Sequence, residues 1–365
     1  MFRDVKIFLF FCKNFFANKI FFSLLSTYLF KVILFSLGFY LFLNLLNCYK
    51  TLHFTCLIMF LIYLSGMKKC GFVAILGRPN VGKSTLLNQI LGQKIVITTD
   101  KAQTTRKRIK GILTEDRGQI IFVDTPGVHR PLNKLGEFLL DEAKVAVPDA
   151  DLVLFLVDGT EPAGKGDKWI VENILKQCKI PVVLVMNKVD KVKKTEKVEE
   201  NLISYKMLFE ENIPVVRISA KTGRNKDTLL SNIFKKLPDG EYLYPEDVVT
   251  EENMRSVAEE IIREKVLLNT QDEIPHSVAI KVEKYEEKED IDRIYATIFC
   301  EQKSQKGILI GKGGNLLKKI GTDARLELEN IVEKKVFLGL EVKVEKDWRK
   351  KDKILKNFGY KSEKE

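Results

Sequence analysis

GRPNVGKST, at residues 77–85, is the stretch that determines the fold of this chain. It follows a short apolar run at residues 72–76, which is typical of a buried parallel strand, and it precedes a helix-like run at residues 85–91. Its glycines permit backbone angles closed to other residues, so successive N–H groups can face phosphate groups at the start of the next helix. Lys83 adds positive charge at the β- and γ-phosphates, and the Ser84 hydroxyl suits Mg²⁺, which prefers oxygen ligands. The stretch therefore predicts a phosphate-binding P-loop in an α/β domain, rather than a chance glycine-rich turn.

Four shorter motifs follow in the order of a guanine-nucleotide switch: Thr104-Thr105, DTPG at 124–127, NKVD at 187–190 and SAK at 219–221. The last three each follow an apolar run, and open α/β sheets bind ligands at the carboxyl ends of such strands. Asp124 can reach a metal through water. Asp190 can accept hydrogen bonds from both the N1–H and the 2-amino group of guanine, a donor pair that adenine lacks. The motifs therefore predict binding and hydrolysis of GTP rather than ATP, with SAK covering the base from the other side.

The hydrolytic machinery is sparse in this sequence. Val128 stands directly after DTPG, where Ras-like enzymes place a glutamine that orients the attacking water, and a valine side chain cannot do so. His129 is a candidate base, but a solvated loop residue is the favoured interpretation.

Asn80 together with TDKAQTT at residues 99–105 resembles the pattern of potassium-activated GTPases. The resemblance implies that Asn80, Thr99, Thr104 and the Lys101 carbonyl hold K⁺, which takes the place of an arginine finger. It also implies that Thr105 is the Mg²⁺ ligand that senses the γ-phosphate. The alternative is that Asn80 only stabilises the turn.

The predicted site residues for the nucleotide form three groups. The catalytic group is Lys83, Thr105, Asp124 and Gly127. The nucleotide-binding group is Gly77, Asn80, Val81, Gly82, Lys83, Ser84, Thr85, Asp124, Thr125, Pro126, Gly127, Asn187, Lys188, Asp190, Ser219, Ala220 and Lys221. The metal-binding group is Ser84 and Thr105 for Mg²⁺, and Asn80, Thr99 and Thr104 for K⁺.

A second, smaller domain is predicted after the turn-forming residues 237–245. The patterns indicate a helix at 251–268, strands at 277–282 and 291–299 split by the charged residues 284–290, a short helix into a glycine turn, a helix at 316–331 and a strand at 336–344. This order matches the bacterial, type II form of the KH RNA-binding domain. The glycine turn, without Cβ atoms, can lie against a sugar-phosphate backbone, although it could also be only a turn that joins two helices. The predicted RNA-binding residues are Gly311, Lys312, Gly313, Gly314, Lys318 and Lys319.

The charge distribution supports this division. Residues 301–365 carry 17 Lys and Arg against 11 Asp and Glu, whereas residues 67–300 are neutral, with 37 of each sign. Such a basic C-terminal stretch is expected to contact a phosphate backbone. Three cysteines lie after residue 66 (70, 178 and 300), without metal-ligand or disulfide spacing, which favours a reducing compartment.

From residue 67 to its end the chain resembles the Era family of bacterial GTPases, on the strength of QTTR at 103–106, DTPG and the single KH domain. The resemblance implies a monomer that uses GTP/GDP, Mg²⁺ and K⁺, binds the 3′ end of 16S ribosomal RNA and assists maturation of the small (30S) ribosomal subunit. It further implies a cytoplasmic protein that associates peripherally with the inner membrane.

The predicted fold class is α/β, with a doubly wound, mostly parallel P-loop GTPase domain followed by a smaller α+β type II KH domain. We expect a hydrophobic extension at 1–66, the GTPase domain at 67–240, a linker at 241–250, the KH domain at 251–346 and a basic tail at 347–365. The tail either extends the RNA-binding surface or is a solvated charged terminus.

Residues 1–66 depart from the family pattern, because they contain apolar tracts at 21–46 and 54–64. The first is the better candidate for a membrane span, since about 20 apolar residues are needed and only Lys31 interrupts it. Either they form a membrane anchor, or the reading frame begins too far upstream and translation starts at Met67. We favour the second, since AT-rich noncoding sequence read as protein is similarly rich in phenylalanine and leucine. An anchor would make the chain a membrane-anchored GTPase in signalling or cell-cycle control, and it would need a hairpin of two spans to keep the GTPase in the cytosol.

Overall fold

The computed structural model describes residues 68–360, apart from residues 102, 103, 129, 132 and 193 and the side chain of residue 195. The predictions made for residues 1–66 and for His129 therefore lie outside the described residues.

The N-terminal part of the described chain is built on a six-stranded sheet. Its strands are β1 (Lys69–Leu76), β2 (Ile109–Glu115), β3 (Gly118–Asp124), β4 (Leu152–Asp158), β5 (Val182–Asn187) and β6 (Val215–Arg217). They lie in the order β2-β3-β1-β4-β5-β6, and each neighbouring pair is parallel except β2 and β3. The helices of this part are α1 (Lys83–Leu91), α2 (Lys134–Val145), α3 (Lys165–Asn173), α4 (Thr195–Lys206) and α5 (Lys226–Phe234). The predicted doubly wound α/β domain is confirmed.

Both faces of this sheet are covered, which explains why its central strands are continuously apolar. Along β1, Val73 and Ile75 pack into the core on one face, whereas Ala74 and Leu76 pack into the core on the other. A sheet buried on both faces leaves its carboxyl edge as the place where polar loops can meet a ligand.

The C-terminal part is a smaller α+β structure. It contains α6 (Met254–Asn269), α7 (Ile274–Ser277), β7 (Ala279–Glu286), β8 (Ile291–Cys300), α8 (Lys303–Ile310), α9 (Asn315–Val332) and β9 (Lys335–Val344). The sheet order is β7-β8-β9, with β7 antiparallel and β9 parallel to β8, so β9 is an edge strand. The predicted order of elements is confirmed. Two details differ. The short helix α7 was not predicted, and β7 continues into the charged segment as far as Glu286, by way of an irregularity between Val282 and Lys284.

The segment predicted as a basic tail folds back onto the protein as far as residue 360. After β9, residues 348–350 form a 3₁₀ turn and Asp352–Asn357 form α10. Trp348 is fully buried and its indole N–H donates to the Ser277 carbonyl at 2.8 Å. Its cluster includes Phe358 and Tyr360 on one side and Leu135 and Phe138 of α2 on the other. The exposed lysines of this segment are thus carried by a structure anchored between the two domains.

Within the described ranges, no helix combines the length and apolar character needed to cross a membrane.

Candidate functional site

The P-loop wraps around the side chain of Lys83. The Lys83 ammonium is buried and donates to the carbonyls of Gly77 at 3.1 Å and Arg78 at 3.0 Å, so it lies inside the ring that its own loop forms. Burial lowers the pKa of Lys83 to about 8, and the nearby Asp124 carboxylate opposes this shift. A buried cation held only by carbonyl oxygens is well placed to meet an anion.

Steric constraints explain why positions 77 and 82 of the P-loop are glycines. A Cβ on Gly77 would lie 2.3 Å from the Leu156 carbonyl oxygen of β4. Gly82 has a φ of +100°, and a Cβ there would lie 2.4 Å from the amide nitrogen of Asn187. The P-loop therefore approaches β4 and the end of β5 more closely than any side chain at these positions would permit.

Ser84, Thr105 and Asp124 meet beside the P-loop. The Ser84 hydroxyl lies 2.8 Å from both the Thr105 hydroxyl and Asp124 Oδ2, and the Thr105 hydroxyl donates to the same carboxylate oxygen at 3.2 Å. Asp124 is fully buried, and burial raises its pKa to about 6 against the influence of Lys83 and the two hydroxyls. Its other oxygen, Oδ1, is buried without a hydrogen-bond partner among the described residues.

This oxygen cluster fits a divalent cation such as Mg²⁺. Its donors are two hydroxyls and a carboxylate, the ligand types that Mg²⁺ prefers, and one carboxylate oxygen is unsatisfied. Thr105 reaches the cluster from the segment between α1 and β2, while Asp124 ends β3. The three residues therefore come from separate parts of the chain.

The DTPG motif packs tightly against the P-loop. Thr125 donates to the Ile75 carbonyl at 2.7 Å, and a Cβ on Gly127 would lie 2.7 Å from Pro79 Cα. Pro126 is buried, and the side chain of Val128 lies in the core. Position 128 therefore offers no side chain to a water in the site.

The motifs predicted to bind the base converge at the ends of β5 and β6. Asn187 donates to the Val81 carbonyl at 2.8 Å and accepts from the Ala220 N–H at 2.8 Å, which ties the P-loop to SAK. Lys188 donates to the Asn80 carbonyl at 2.7 Å and to Asp158 at 2.6 Å.

Asp190 and Lys221 are exposed at this edge, whereas Ser219 is buried and turns the chain through a hydrogen bond from the Thr222 N–H. Asp190 has no hydrogen-bond or ion-pair partner within the described part of the chain, so its carboxylate is free to accept from a base.

The residues predicted for K⁺ are neighbours, but they satisfy one another. The Asn80 amide donates to the Asp100 carbonyl at 2.9 Å, the hydroxyls of Thr99 and Thr104 are 2.7 Å apart, and Thr104 also donates to the Lys101 carbonyl at 2.7 Å. Asn80, Thr99 and Thr104 all line the cleft beside Ser84. These oxygen atoms lie close together in the cleft, and their role in binding K⁺ stays a prediction.

The predicted RNA loop forms a tight turn between α8 and α9. Gly311, Gly313 and Gly314 have φ values of +76°, +61° and +80°. A Cβ would clash with Leu316 at Gly311, whereas it would meet open space at Gly313 and Gly314. Lys312, Lys318 and Lys319 are exposed and have no ion-pair partner among the described residues.

Sequence reasoning missed the residues that hold the Thr104-Thr105 segment against the C-terminal domain. The Arg106 guanidinium is 1% exposed and donates to the Val278 carbonyl at 2.6 Å and to the Pro275 carbonyl and the Tyr360 hydroxyl at 3.4 Å each. The equally buried Arg263 of α6 donates to the Thr104 carbonyl and to Glu260.

The only sequence signal for these contacts was an arginine directly after Thr105, in a position that otherwise reads as an exposed loop. Burial lowers the pKa of Arg106, because its described partners are neutral oxygens.

A second contact between the domains is a charge network. Lys94, which follows α1, lies 2.6 Å from both Glu264 of α6 and Glu327 of α9, and Lys265 also pairs with both carboxylates. Together with Arg106 and Arg263, this network fixes the KH-like domain to the two ends of the segment between α1 and β2.

Comparisons with known proteins match both parts of the chain. A family model described as a 50S ribosome-binding GTPase matches residues 72–188, and a KH domain model matches residues 273–349. GTPase Era of Halothermothrix orenii is 47% identical over 296 residues, which cover 80% of this chain and 99% of that protein. GTPase Era of Crocosphaera subtropica is 47% identical over 296 residues, 81% of this chain and 93% of that protein.

Two solved structures of Era are also similar. One is a complex with MgGDPNP and nucleotides 1506–1542 of 16S ribosomal RNA; its TM-score is 0.78 and its identity 41%, over 80% of this chain and 99% of that chain. The other is the Y63A variant of Aquifex aeolicus Era bound to GDP·AlF₄⁻, with a TM-score of 0.77 and 41% identity over the same shares.

Proposed function

The chain belongs to the Era family of GTPases, and we propose that it is a GTP-controlled switch that binds the 3′ region of 16S ribosomal RNA through its KH domain and assists assembly or maturation of the small (30S) ribosomal subunit. A relative of 41% identity was solved with MgGDPNP and an RNA of that region, which supports the choice of ligands. We assign the GTPase domain to residues 67–240, the linker to 241–250 and the KH domain to 251–346, with 347–365 as a basic C-terminal segment.

The observation that carries this proposal is the double attachment of the Thr105 segment. The Thr105 hydroxyl contacts Ser84 and Asp124 in the nucleotide site, while the carbonyl before it and the side chain after it are bound by Arg263 and by the Val278 carbonyl. A movement of Thr105 toward a γ-phosphate therefore pulls directly on the domain that carries the RNA loop.

In the nucleotide site, Ser84 and Thr105 would hold Mg²⁺ directly and Asp124 through water. The ion supplies positive charge to the phosphate oxygens, as the Lys83 ammonium does from the P-loop side. Thr105 and Gly127 act as the residues that respond to the γ-phosphate. The free carboxylate of Asp190 selects guanine.

We further propose that K⁺ binds at Asn80, Thr99, Thr104 and the Lys101 carbonyl, since the buried Val128 leaves the site without a glutamine there. The test is hydrolysis in K⁺ and in Na⁺ at equal ionic strength, for the parent and for Asn80→Ala. We expect the parent to hydrolyse GTP faster in K⁺ than in Na⁺, and Asn80→Ala to show no such difference. Equal rates of the parent in the two salts would contradict a K⁺ site.

RNA binding is tested best at Gly313, because its φ of +61° and open surroundings suit asparagine and aspartate alike. Gly313→Asp brings a negative charge to the backbone-binding turn, and the matched variant Gly313→Asn adds the same bulk without charge. We expect Gly313→Asp to weaken binding of a 16S 3′-end RNA at least tenfold with unchanged GTP hydrolysis, and Gly313→Asn to weaken it much less. Equal RNA affinity in all three proteins would refute RNA binding through this turn.

We also place the protein in the cytoplasm as a monomer that associates peripherally with the inner membrane. Fractionation of cells in low and high salt tests the membrane association, since a peripheral contact is released by salt. A membrane-anchored role in signalling or cell-cycle control would use residues 1–66, outside the described residues; retention in the membrane fraction until those residues are deleted would support it.

A further inference from the structure

The face of the KH sheet that points away from α6, α8 and α9 is covered at one end and open at the other. Side chains alternate along β8, so Ile294, Ala296 and Ile298 enter the core while Tyr295 and Phe299 lie on the opposite face. Phe299 packs with the C-terminal segment that contains Trp348 and Phe358. Beyond that cover, Tyr295 is 40% and Phe337 of β9 is 46% exposed.

The two exposed rings form a pair. Their centroids are 5.5 Å apart and their planes are inclined by 54°. Gly339, directly opposite Tyr295 in the β8-β9 register, leaves room for the tyrosine ring, since a Cβ there would lie 3.1 Å from it. The result is an exposed pair of tilted rings on a sheet, where the described part of the chain offers no covering element.

Charged residues of both signs surround the pair. Three of the carboxylates are bound by neighbouring lysines, in the pairs Lys281–Glu283, Lys284–Glu286 and Lys343–Glu341, and the unpaired acidic residues lie at the hairpin end, at 287, 289 and 290. Arg293, opposite Phe337 in the register, and Lys335 have no ion-pair partner among the described residues. Exposed aromatic rings edged by unpaired cations favour unpaired nucleotides over an apolar protein surface, because bases stack on the rings and phosphates pair with the cations.

This face is continuous with the RNA loop through one strand. β9 is the edge of the sheet, and its residues alternate between Leu338 and Leu340 on the side of α9 and Phe337 and Gly339 on the open side. Leu340 approaches Gly321 of α9, so the helix side of β9 borders the groove that begins at the Gly311–Gly314 turn. A strand of RNA that leaves this groove across the edge of β9 reaches the aromatic pair next.

We propose that Tyr295 and Phe337 form a second binding surface, on which unpaired nucleotides of the RNA held at the glycine turn stack after passing over β9. The proposal rests on the proposed RNA-binding function. It assigns a binding surface to the nucleotides that lie beyond the groove. A KH groove binds about four nucleotides, so the second surface matters only for longer RNA.

The test compares Tyr295→Leu/Phe337→Leu with Tyr295→Phe in the full chain. Leucine keeps an apolar cover over Gly339 and removes only the ring, and GTP hydrolysis together with thermal unfolding reports whether the variants remain folded. The probes are fluorescein-labelled unstructured RNAs of about six and about twelve nucleotides from the 16S 3′ end. We expect the double variant to bind the longer RNA about tenfold more weakly and the shorter RNA normally. Tyr295→Phe, which keeps the ring, should bind both normally.

Unchanged affinity of the double variant for the longer RNA would overturn the proposal and would leave a protein as the occupant of this face. Cross-linking of 4-thiouridine in the longer RNA to peptides of β8 or β9 would support it. Gly313→Asp separates the two hypotheses, because its failure to weaken the shorter RNA would refute the proposed function itself. Weakening there, with no effect of the double variant, would refute only the second surface.

Discussion

Replacing Arg106 by methionine should uncouple the nucleotide site from RNA binding. The guanidinium spans the domain boundary, with one short hydrogen bond of 2.6 Å to the Val278 carbonyl and two long ones of 3.4 Å. Methionine has a similar length and can fill the space beside Trp348, but it donates no hydrogen bond.

The cost in stability follows from these contacts. A hydrogen bond from a charged donor contributes about 1.5–3 kcal/mol, and the two long bonds add little. Burial already disfavours the charge of Arg106, as its lowered pKa indicates, so removal of the charge offsets part of the loss. We expect the free energy of unfolding to fall by about 2 kcal/mol. In the matched control, Arg117→Met at the β2-β3 turn, which loses an ion pair with Glu115 and a contact with the Phe234 ring but touches no residue of the C-terminal domain, it should change by less than about 1 kcal/mol.

The decisive measurement is the ratio of RNA affinities in the presence of a non-hydrolysable GTP analogue and of GDP. Coupling between two sites is typically 1–3 kcal/mol, or about 5- to 150-fold in affinity. This ratio should fall toward one in Arg106→Met and remain at the parental value in Arg117→Met. If Arg106→Met keeps the parent's ratio of RNA affinities although its free energy of unfolding has fallen as expected, the contact only holds the domains together.

Three further predictions concern the site and the domain boundary. Burial raises the pKa of Asp124 to about 6, so the folded state binds this proton more tightly than the unfolded state does. The free energy of unfolding should therefore fall by up to about 3 kcal/mol as the pH rises from about 4 to 6. Asp124→Asn should remove this loss, as measured by urea unfolding of the protein without metal and nucleotide. At about pH 8.5, where Lys83 is largely neutral, the variant should be more stable than the parent, although it should hydrolyse no GTP. A variant that is less stable than the parent at this pH would contradict the assigned burial cost. Asp190→Asn should weaken GTP binding at least tenfold and improve binding of a xanthine nucleotide, whose 2-oxo group accepts from the new amide, as measured by competition titration; equal GTP affinity would remove Asp190 from base recognition. Trp348→Ala should lower the free energy of unfolding by about 3–5 kcal/mol, because it empties a fully buried site and leaves the Ser277 carbonyl without its donor. A loss below about 1 kcal/mol in denaturant unfolding would show that the C-terminal segment is not anchored there.

Much of the fold was predictable because its signals are local. The apolar runs before GRPNVGKST, DTPG and NKVD predicted β1, β3 and β5, and the structure places the motifs at the carboxyl ends of those strands. The glycines at 311, 313 and 314 predicted the turn between α8 and α9, since each adopts a positive φ. A motif that needs particular backbone angles or a particular donor set reveals itself in a few consecutive residues.

The rest depended on residues far apart in the chain. Arg106 was indistinguishable from a solvated loop residue, because its burial comes from Val278, Tyr360 and Trp348, more than 150 positions later. Residues 347–365 read as a basic tail for the same reason: their apolar residues find partners on α2, in the other domain.

The sequence by itself therefore determined the chemical groups of this protein: a P-loop, a carboxylate at Asp190 that is predicted to select guanine, and a glycine turn flanked by lysines. Only the tertiary structure decided how those parts are connected, which arginines join the Thr105 segment to the KH domain, and which aromatic residues of β8 and β9 remain uncovered. The physical reason is that ligand chemistry is set by a residue's own groups and its immediate neighbours. Burial, the pKa shifts of Asp124 and Lys83 and the exposure of Tyr295 are set by whichever distant segments pack, or do not pack, against them.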